Sequence, residues 1–271
     1  MIAKKFLSLL TATVTLASLS ACGLTGTESG VGGVSPDVAE VLDGKSPEEY
    51  TVDDVVTAAP QAMQALDSWA VTYTTEKYTL GSTRESASTI TYEQSVQRDP
   101  WITYAALTEV SIDLEPFEVA LYLYEDANVV YYAMDYLGEW AKTIPAEDPA
   151  LTEQMVAAMP NPDRVFPIPR IHELDELEIN VVGEEVVLTG NLETMGGNIV
   201  NGVWEAVYRF NARTLVIQSI EWTHTPANDD RSDTVITYIY SNFNEVELEV
   251  PTDVKDAEVT GSFLYSFAAD M

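Results

Sequence analysis

Phe117-Glu118-Val119-Ala120-Leu121-Tyr122-Leu123-Tyr124, then Glu125-Asp126-Ala127-Asn128, then Val129-Val130-Tyr131-Tyr132-Ala133-Met134: in this stretch the apolar period is two, broken once by four polar or small residues. Alternation at that period sets Phe117, Val119, Leu121 and Leu123 on one side of a strand and Tyr122 and Tyr124 on the other. The interruption reads as a hairpin turn, and Val130, Tyr132 and Met134 continue the pattern on an antiparallel partner. One side of the first strand is aliphatic and the other aromatic, so both sides carry apolar surface.

The same period extends outward in both directions. Upstream lie Trp69-Val71-Tyr73, Ile90-Tyr92, and Ile102-Tyr104-Ala106 with Val110-Ile112, most with Thr, Ser or Glu among the alternate positions. Downstream, Leu137-Gly138-Glu139 turns the chain into a short strand around Trp140. Strand patterning returns in Leu177-Ile179-Val181, Val186-Leu188, Trp204-Ala206-Tyr208-Phe210, Val216-Ile220-Trp222, Val235 to Phe243, and Val246-Leu248-Val250, where Glu245, Glu247 and Glu249 alternate with the apolar residues. Such half-buried strands belong to antiparallel sheets. Gly261 to Phe267 offers a further edge strand.

Two segments have helical spacing. In Thr51 to Leu66 the apolar residues Val55, Val56, Ala59, Ala62, Met63 and Leu66 share one side, Thr51 and Asp54 stand at capping-box spacing, and Pro60 predicts a kink or a split. Asp148-Pro149 is an N-cap followed by a first-turn proline, and Leu151, Met155, Val156 and Met159 form a stripe after it. Pro160, Pro162, Pro167 and Pro169 make the next segment a stiff loop. The expected fold is α+β and mostly β: a single curved antiparallel sheet, an unclosed β-barrel, with helices covering its concave face.

The N-terminal end reads differently. Lys4 and Lys5, the largely apolar run Phe6 to Leu16, and Leu19-Ser20-Ala21-Cys22 have the order of an export signal. Leu-Ser-Ala-Cys resembles the bacterial lipobox, in which the cysteine is lipidated and becomes the first residue. The expected organisation is a signal peptide over 1–21, a flexible Gly- and Ser-rich tether over 22–49 from lipidated Cys22, and one domain over 50–271. Two acyl chains, at roughly 0.8 kcal/mol per buried CH2, anchor firmly where one is marginal. This places the protein on the outer side of a cell membrane. Cys22 is the only cysteine, so no disulfide is expected, and no later segment is apolar for long enough to span a bilayer.

Charge narrows the partners. The chain of 271 residues carries a formal net charge of −31, and loss of Lys4 and Lys5 with the signal makes it more negative. Nucleic-acid affinity comes from neutralising phosphates with Lys and Arg, so a nucleic-acid partner is excluded. Anionic headgroups repel the same surface, which leaves attachment to the acyl anchor.

The lipobox, the tether, the amphipathic helix ending at Leu66-Asp67-Ser68-Trp69, Asn128-Val129-Val130-Tyr131-Tyr132 and Gly138-Glu139-Trp140 together resemble the LolA/LolB and LppX/LprG-like lipoproteins. Val186-Val187-Leu188-Thr189-Gly190 and Tyr240-Ser241-Asn242-Phe243-Asn244, running into Val250-Pro251, are similar to a branch of small lipoproteins in that superfamily. The resemblance covers about residues 50–251; Pro60 departs from the uninterrupted first helix of that pattern. It implies an unclosed barrel with helices in its mouth and, in characterised relatives, a cavity for acyl chains. Other members of the fold are envelope sensors.

No catalytic constellation, cofactor motif or metal signature is found. His172 and His224 read as surface loop residues. Asn228-Asp229-Asp230-Arg231-Ser232-Asp233 fails the calcium-loop pattern, since Asp233 stands where the turn glycine belongs and Ile239 where the bidentate Glu belongs; it reads as a hairpin loop. The candidate ligand contacts are the aromatics and soft side chains Trp69, Tyr73, Tyr92, Tyr104, Tyr122, Tyr124, Tyr132, Met134, Trp140, Met155 and Met159. A filled core with cross-strand aromatic pairs accounts for them as well. The leading expectation is a non-catalytic lipoprotein that binds a lipid or other amphiphile. The alternative is a sensor or protein-interaction module of the same fold, contacting another envelope protein.

Overall fold

The computed structural model describes residues 36–42, 44–78, 86–111, 117–136, 138–144, 168, 170–195, 198–226 and 233–259. Within them the chain makes β1 (Ser68–Tyr78), β2 (Ser86–Gln97), β3 (Ile102–Ser111), β4 (Phe117–Asp126), β5 (Val129–Tyr136), β6 (Glu139–Thr143), β7 (Asp175–Val182), β8 (Glu185–Met195), β9 (Asn198–Asn211), β10 (Ile217–Pro226) and β11 (Asp233–Ser241). All eleven belong to one curved, unclosed antiparallel sheet in the order β6-β5-β4-β3-β2-β1-β11-β10-β9-β8-β7. Two meanders, β1 to β6 and β7 to β11, are therefore sewn into one sheet by the pairing of the first strand with the last. That pairing runs from Ala70 opposite Ser241 to Tyr78 opposite Asp233.

The turn read from Glu125-Asp126-Ala127-Asn128 is a two-residue hairpin. Asp126 pairs with Val129, and Ala127 and Asn128 have φ of 51° and 65°. Positive φ at both central positions is the turn whose twist matches its strands.

Pairing registers assign every strand residue to a face. Trp69, Val71 and Tyr73 of β1 share the inner face with Val96, Gln94 and Tyr92 of β2, and with Tyr240 and Tyr238 of β11. The inner face carries the main core. There α1 (Pro36–Leu42) and α2 (Val52–Gln64) pack with Trp69, Val71, Leu188, Tyr208, Phe210, Ile220 and Trp222 in one buried cluster. From α2, Val55, Ala58, Ala59, Ala62 and Met63 are buried in this cluster. Complete burial of side chains such as Val55 and Met63 is worth roughly 1.5–3 kcal/mol each. At the far side, Gly190 admits the chain entering β7: a Cβ on it would stand 3.0 Å from the Asp175 carbonyl oxygen.

Thr51 caps α2 as expected, accepting the Asp54 N–H, while the Asp54 carboxylate takes the Thr51 N–H. The helix does not split at Pro60. Pro60 costs the helix one backbone hydrogen bond and a clash with the preceding turn, and the burial of Ala58, Ala59, Ala62 and Met63 on both sides of it offsets that cost. Residues 36–42, expected within the tether, form α1, whose Val38 and Leu42 are buried against the main core. The ordered unit thus begins earlier than the composition suggested.

The strand expected at Val246-Leu248-Val250 is absent. The segment is extended but unladdered, and it crosses the outer face of the sheet: Asn244 donates its N–H to the Ser68 carbonyl, Val246 donates to Ser68 Oγ at 3.0 Å, and Leu248 donates to Gln97 Oε1 at 2.7 Å. Ser68 and Gln97 are cross-strand neighbours on β1 and β2, so the chain steps from strand to strand instead of running beside one. Its burial still alternates, because an extended chain lying flat on any surface buries every second side chain. The strap ends in α3 (Thr252–Asp256), where Val250 and Val254 bury against Ile102, Tyr124 and Ala133. Beyond α3, Lys142 of edge strand β6 donates its N–H to the Glu258 carbonyl and bridges Val259, while its Nζ bonds the Lys255 carbonyl.

The signal segment with Cys22, the Asp148–Met159 helix, the proline loop up to Pro167, most of the Asn228–Asp233 loop and the Gly261–Phe267 edge strand lie outside the described residues. No helix among the described residues is long and apolar enough to cross a membrane.

Candidate binding face

Two apolar regions share the inner face. Beside the main core, β3, β4 and β5 carry a second buried cluster of Ala105, Val119, Leu121, Leu123, Tyr132 and Met134, with Tyr92, Trp101 and Val130 packed against it. The registers lay it out in rows. Val71, Gln94, Ala105, Leu121, Met134 and Ala141 are successive cross-strand neighbours from β1 to β6. The adjacent row is Trp69, Val96, Thr103, Leu123, Tyr132 and Thr143, and on the other side Tyr73, Tyr92, Leu107 and Val119 follow one another. This is an apolar basin with a few polar groups set into it.

Those polar groups are unusual. Thr103 is 1% exposed, and its Oγ1 has no hydrogen-bond partner among the described residues; the same holds for the buried Nε2 of Gln94 and the buried Nε1 of Trp101. An unmatched buried donor or acceptor costs about 1–3 kcal/mol. By contrast, aromatic side chains in and against the main core partner their polar tips. Thr75 Oγ1 donates to Tyr73 Oη at 2.6 Å, and Trp222 Nε1 donates to Tyr208 Oη at 3.2 Å. Tyr73 and Tyr238 meet with ring centroids 4.8 Å apart, and Trp222 stands edge-on to Tyr238 at 5.3 Å. At the far end of the inner face, Trp204 also keeps a buried Nε1 without a partner among the described residues.

Burial pushes the Tyr92 phenol up to about 12 and raises Tyr132 further, the nearby Tyr92 adding to the effect. The basin therefore holds neutral hydroxyls at any physiological pH.

The structure divides the sequence-derived ligand contacts between two faces. Trp69, Tyr73, Tyr92, Tyr132 and Met134 lie on the inner face by register, Trp69 within the main core with the Arg98 guanidinium 5.4 Å from its ring centroid. Tyr104, Tyr122, Tyr124 and Trp140 lie on the outer face, where Tyr122 meets Tyr104 at 5.0 Å and Trp140 at 5.6 Å. Tyr124 stacks on Tyr131 at 5.5 Å and is buried in the cluster that holds the strap. These four do not line the basin. Met155 and Met159 lie outside the described residues. Gln94, Trp101 and Thr103 were not anticipated; the available signal was Gln94, a polar residue in the apolar phase Ile90-Tyr92-Gln94-Val96.

Of the two histidines, His172 is exposed on a 3-10 turn, Ile171–Glu173. His224, expected on a surface loop, is buried in β10 and stacks on Trp204 with centroids 4.8 Å apart. Its even position in the strand points it inward with Trp222. Among the described residues no three His, Cys, Asp or Glu side chains gather as a metal site.

No curated protein matches the sequence. Among solved structures, the crystal structure of Rv2717c from M. tuberculosis is similar over 68% of this chain and 97% of its own, at 11% identity and a TM-score of 0.23. A family model described as a family of unknown function, DUF6612, matches residues 51–189, from the cap of α2 into β8, which is just over half of the chain. The protein belongs to the DUF6612 family.

Proposed function

We propose that this protein is a membrane-anchored lipoprotein of the LolA/LppX-like kind, held by acylated Cys22 on the outer side of the membrane, and that it binds a lipid or other amphiphile on the inner face of its sheet without catalysing a reaction. The observation that carries this reading is the second apolar cluster. It stands apart from the main core, and a row of aromatic side chains connects the two. Burying an acyl chain there would gain about 25 cal/mol per Å2 of apolar surface removed from water. The lipobox-like Leu19-Ser20-Ala21-Cys22 supports the anchor.

Native mass spectrometry of the unlipidated chain from Cys22 onward, purified without detergent from bacteria, tests it. The expected result is a stoichiometric adduct of lipid mass that is lost when Met134 is replaced by Asp. A clean apo mass, with no uptake of added phospholipid or fatty acid, would overturn the carrier reading and favour the sensor or interaction module. Metabolic labelling with a radioactive fatty acid, abolished by Cys22→Ser, tests the anchor separately.

A further inference from the structure

We infer that the inner-face basin selects apolar molecules bearing a neutral hydrogen-bond acceptor, an ester, amide or ketone carbonyl, and that Gln94 and Thr103 are the residues that read it. This rests on the reading of the basin as a ligand site and adds the chemistry of what enters.

Gln94 and Thr103 sit on adjacent strands on the same face: Gln94 opposes Ala105, and Thr103 is two residues before Ala105. That diagonal separates side chains by about 7–8 Å or less at their bases, a span that one carbonyl group and its neighbours bridge. The cross-strand neighbours are Val71 and Ala105 for Gln94, and Val96 and Leu123 for Thr103. None of the four offers a side-chain acceptor. The Gln94 amide N–H and the Thr103 hydroxyl are therefore buried donors without a partner among the described residues. Native proteins match nearly all such groups, so an unmatched pair within an apolar region is where a ligand's acceptor belongs.

The donors are neutral, and that fixes the charge of the guest. A carboxylate buried between an amide and a hydroxyl keeps most of its desolvation cost, several kcal/mol, unless a cation joins it. A neutral carbonyl accepts the same two hydrogen bonds with a far smaller penalty. Alkane chains fit the apolar walls but leave both donors unmatched.

The test uses three bromine-labelled eighteen-carbon probes on the full chain carrying Cys22→Ser: 9,10-dibromostearic acid methyl ester, 9,10-dibromostearic acid and a dibromooctadecane. Bromine quenches tryptophan, and Trp101 flanks the basin. The expected result at pH 7.5 is that the ester binds about tenfold more tightly than either the acid or the alkane, the gain of one or two neutral hydrogen bonds. Lowering the pH below the acid's own pKa should bring its affinity toward that of the ester. In Gln94→Leu/Thr103→Val the ester preference should fall below about twofold while alkane affinity is kept; Thr103→Ser should retain the preference. Equal affinity for ester and alkane in the unsubstituted basin would overturn the inference and leave the proposed function standing. Quenching by none of the three would overturn both. Because the probe comparison is made in the unsubstituted basin, it holds even if the double variant fails to fold.

Discussion

Asp54 shows how one side chain sets a local structure. Its carboxylate accepts from Lys45 Nζ with both oxygens at 2.8 Å, and its Oδ2 also takes the Thr51 N–H and hydroxyl at 2.8 Å. The Lys45 hydrogen bond, then the Thr51 N–H, hold its pKa below the ordinary aspartate value. A lowered folded-state pKa contributes stability that is present above the unfolded value, about 3.9, and is lost as pH falls through the folded one. Asp54→Asn should therefore destabilise the protein by about 1–2 kcal/mol at pH 7. In urea melts the gap between variant and parent should narrow as pH falls below about 4; a gap unchanged with pH would mean that the carboxylate's charge is not what matters. The β4–β5 turn invites the opposite change. Ala127 sits at φ 51°, where an L-residue with no polar side chain pays roughly 1 kcal/mol that asparagine largely avoids. Ala127→Asn should raise the urea midpoint with no change in slope.

At the scale of elements, the strap and α3 do for the outer face what α1 and α2 do for the inner one. Val254 is fully buried against Tyr124, Ala133 and Ile102, and its helix touches the sheet at the β6 end. Val254→Ala should cost about 1–3 kcal/mol, and amide exchange should rise in β3 to β6 while β8 to β10 keep their protection. Uniform loss of protection would show that the strap stabilises the whole sheet instead of one half. The strap also marks where sequence reading stopped. Period two reports an extended chain with one side buried, and Val246-Leu248-Val250 satisfies that whether the neighbours are strands beside it or strands beneath it. Its backbone donors found Ser68 and Gln97 side chains, partners nearly 180 residues away and 151 residues away that no local pattern reveals. The capping box of α2, the hairpin at Ala127-Asn128 and the two-sided nature of β4 were legible because each is decided within a few residues. The assignment of aromatics to one binding face was not. Tyr104 and Tyr122 differ from Tyr92 and Tyr132 only in strand parity, and which parity faces the helices is settled by packing. Gln94 and Thr103 stand out only once it is known that Gln94 Nε2 and Thr103 Oγ1 have no hydrogen-bond partner among the described residues.

The whole molecule is one sheet, and its buried phenols give a way to ask whether it unfolds as one. Tyr92, Tyr122 and Tyr124 are pushed up to about 12 by burial, and Tyr132, Tyr208, Tyr238 and Tyr240 are raised beyond that, on both faces and in both meanders. A raised folded-state pKa leaves stability intact below the unfolded value near 10. Above it the unfolded chain releases protons that the folded one keeps, so stability falls as pH climbs toward the folded values. Each such group removes about 1.4 kcal/mol per pH unit. The least exposed, Tyr208, Tyr124 and Tyr132, together remove about 4 kcal/mol per unit, against a total stability of about 5–15 kcal/mol for a domain. The sheet should therefore unfold between about pH 11 and 12, before its buried phenols titrate in place. Because β1 and β11 join the meanders, tyrosinate absorbance at 295 nm and far-ultraviolet circular dichroism should change together in one step. A rise in tyrosinate with the β-sheet signal intact would mean that the phenols ionise within the fold, whereas loss of the β-sheet signal in two steps would mean that the two meanders open independently of the β1–β11 seam.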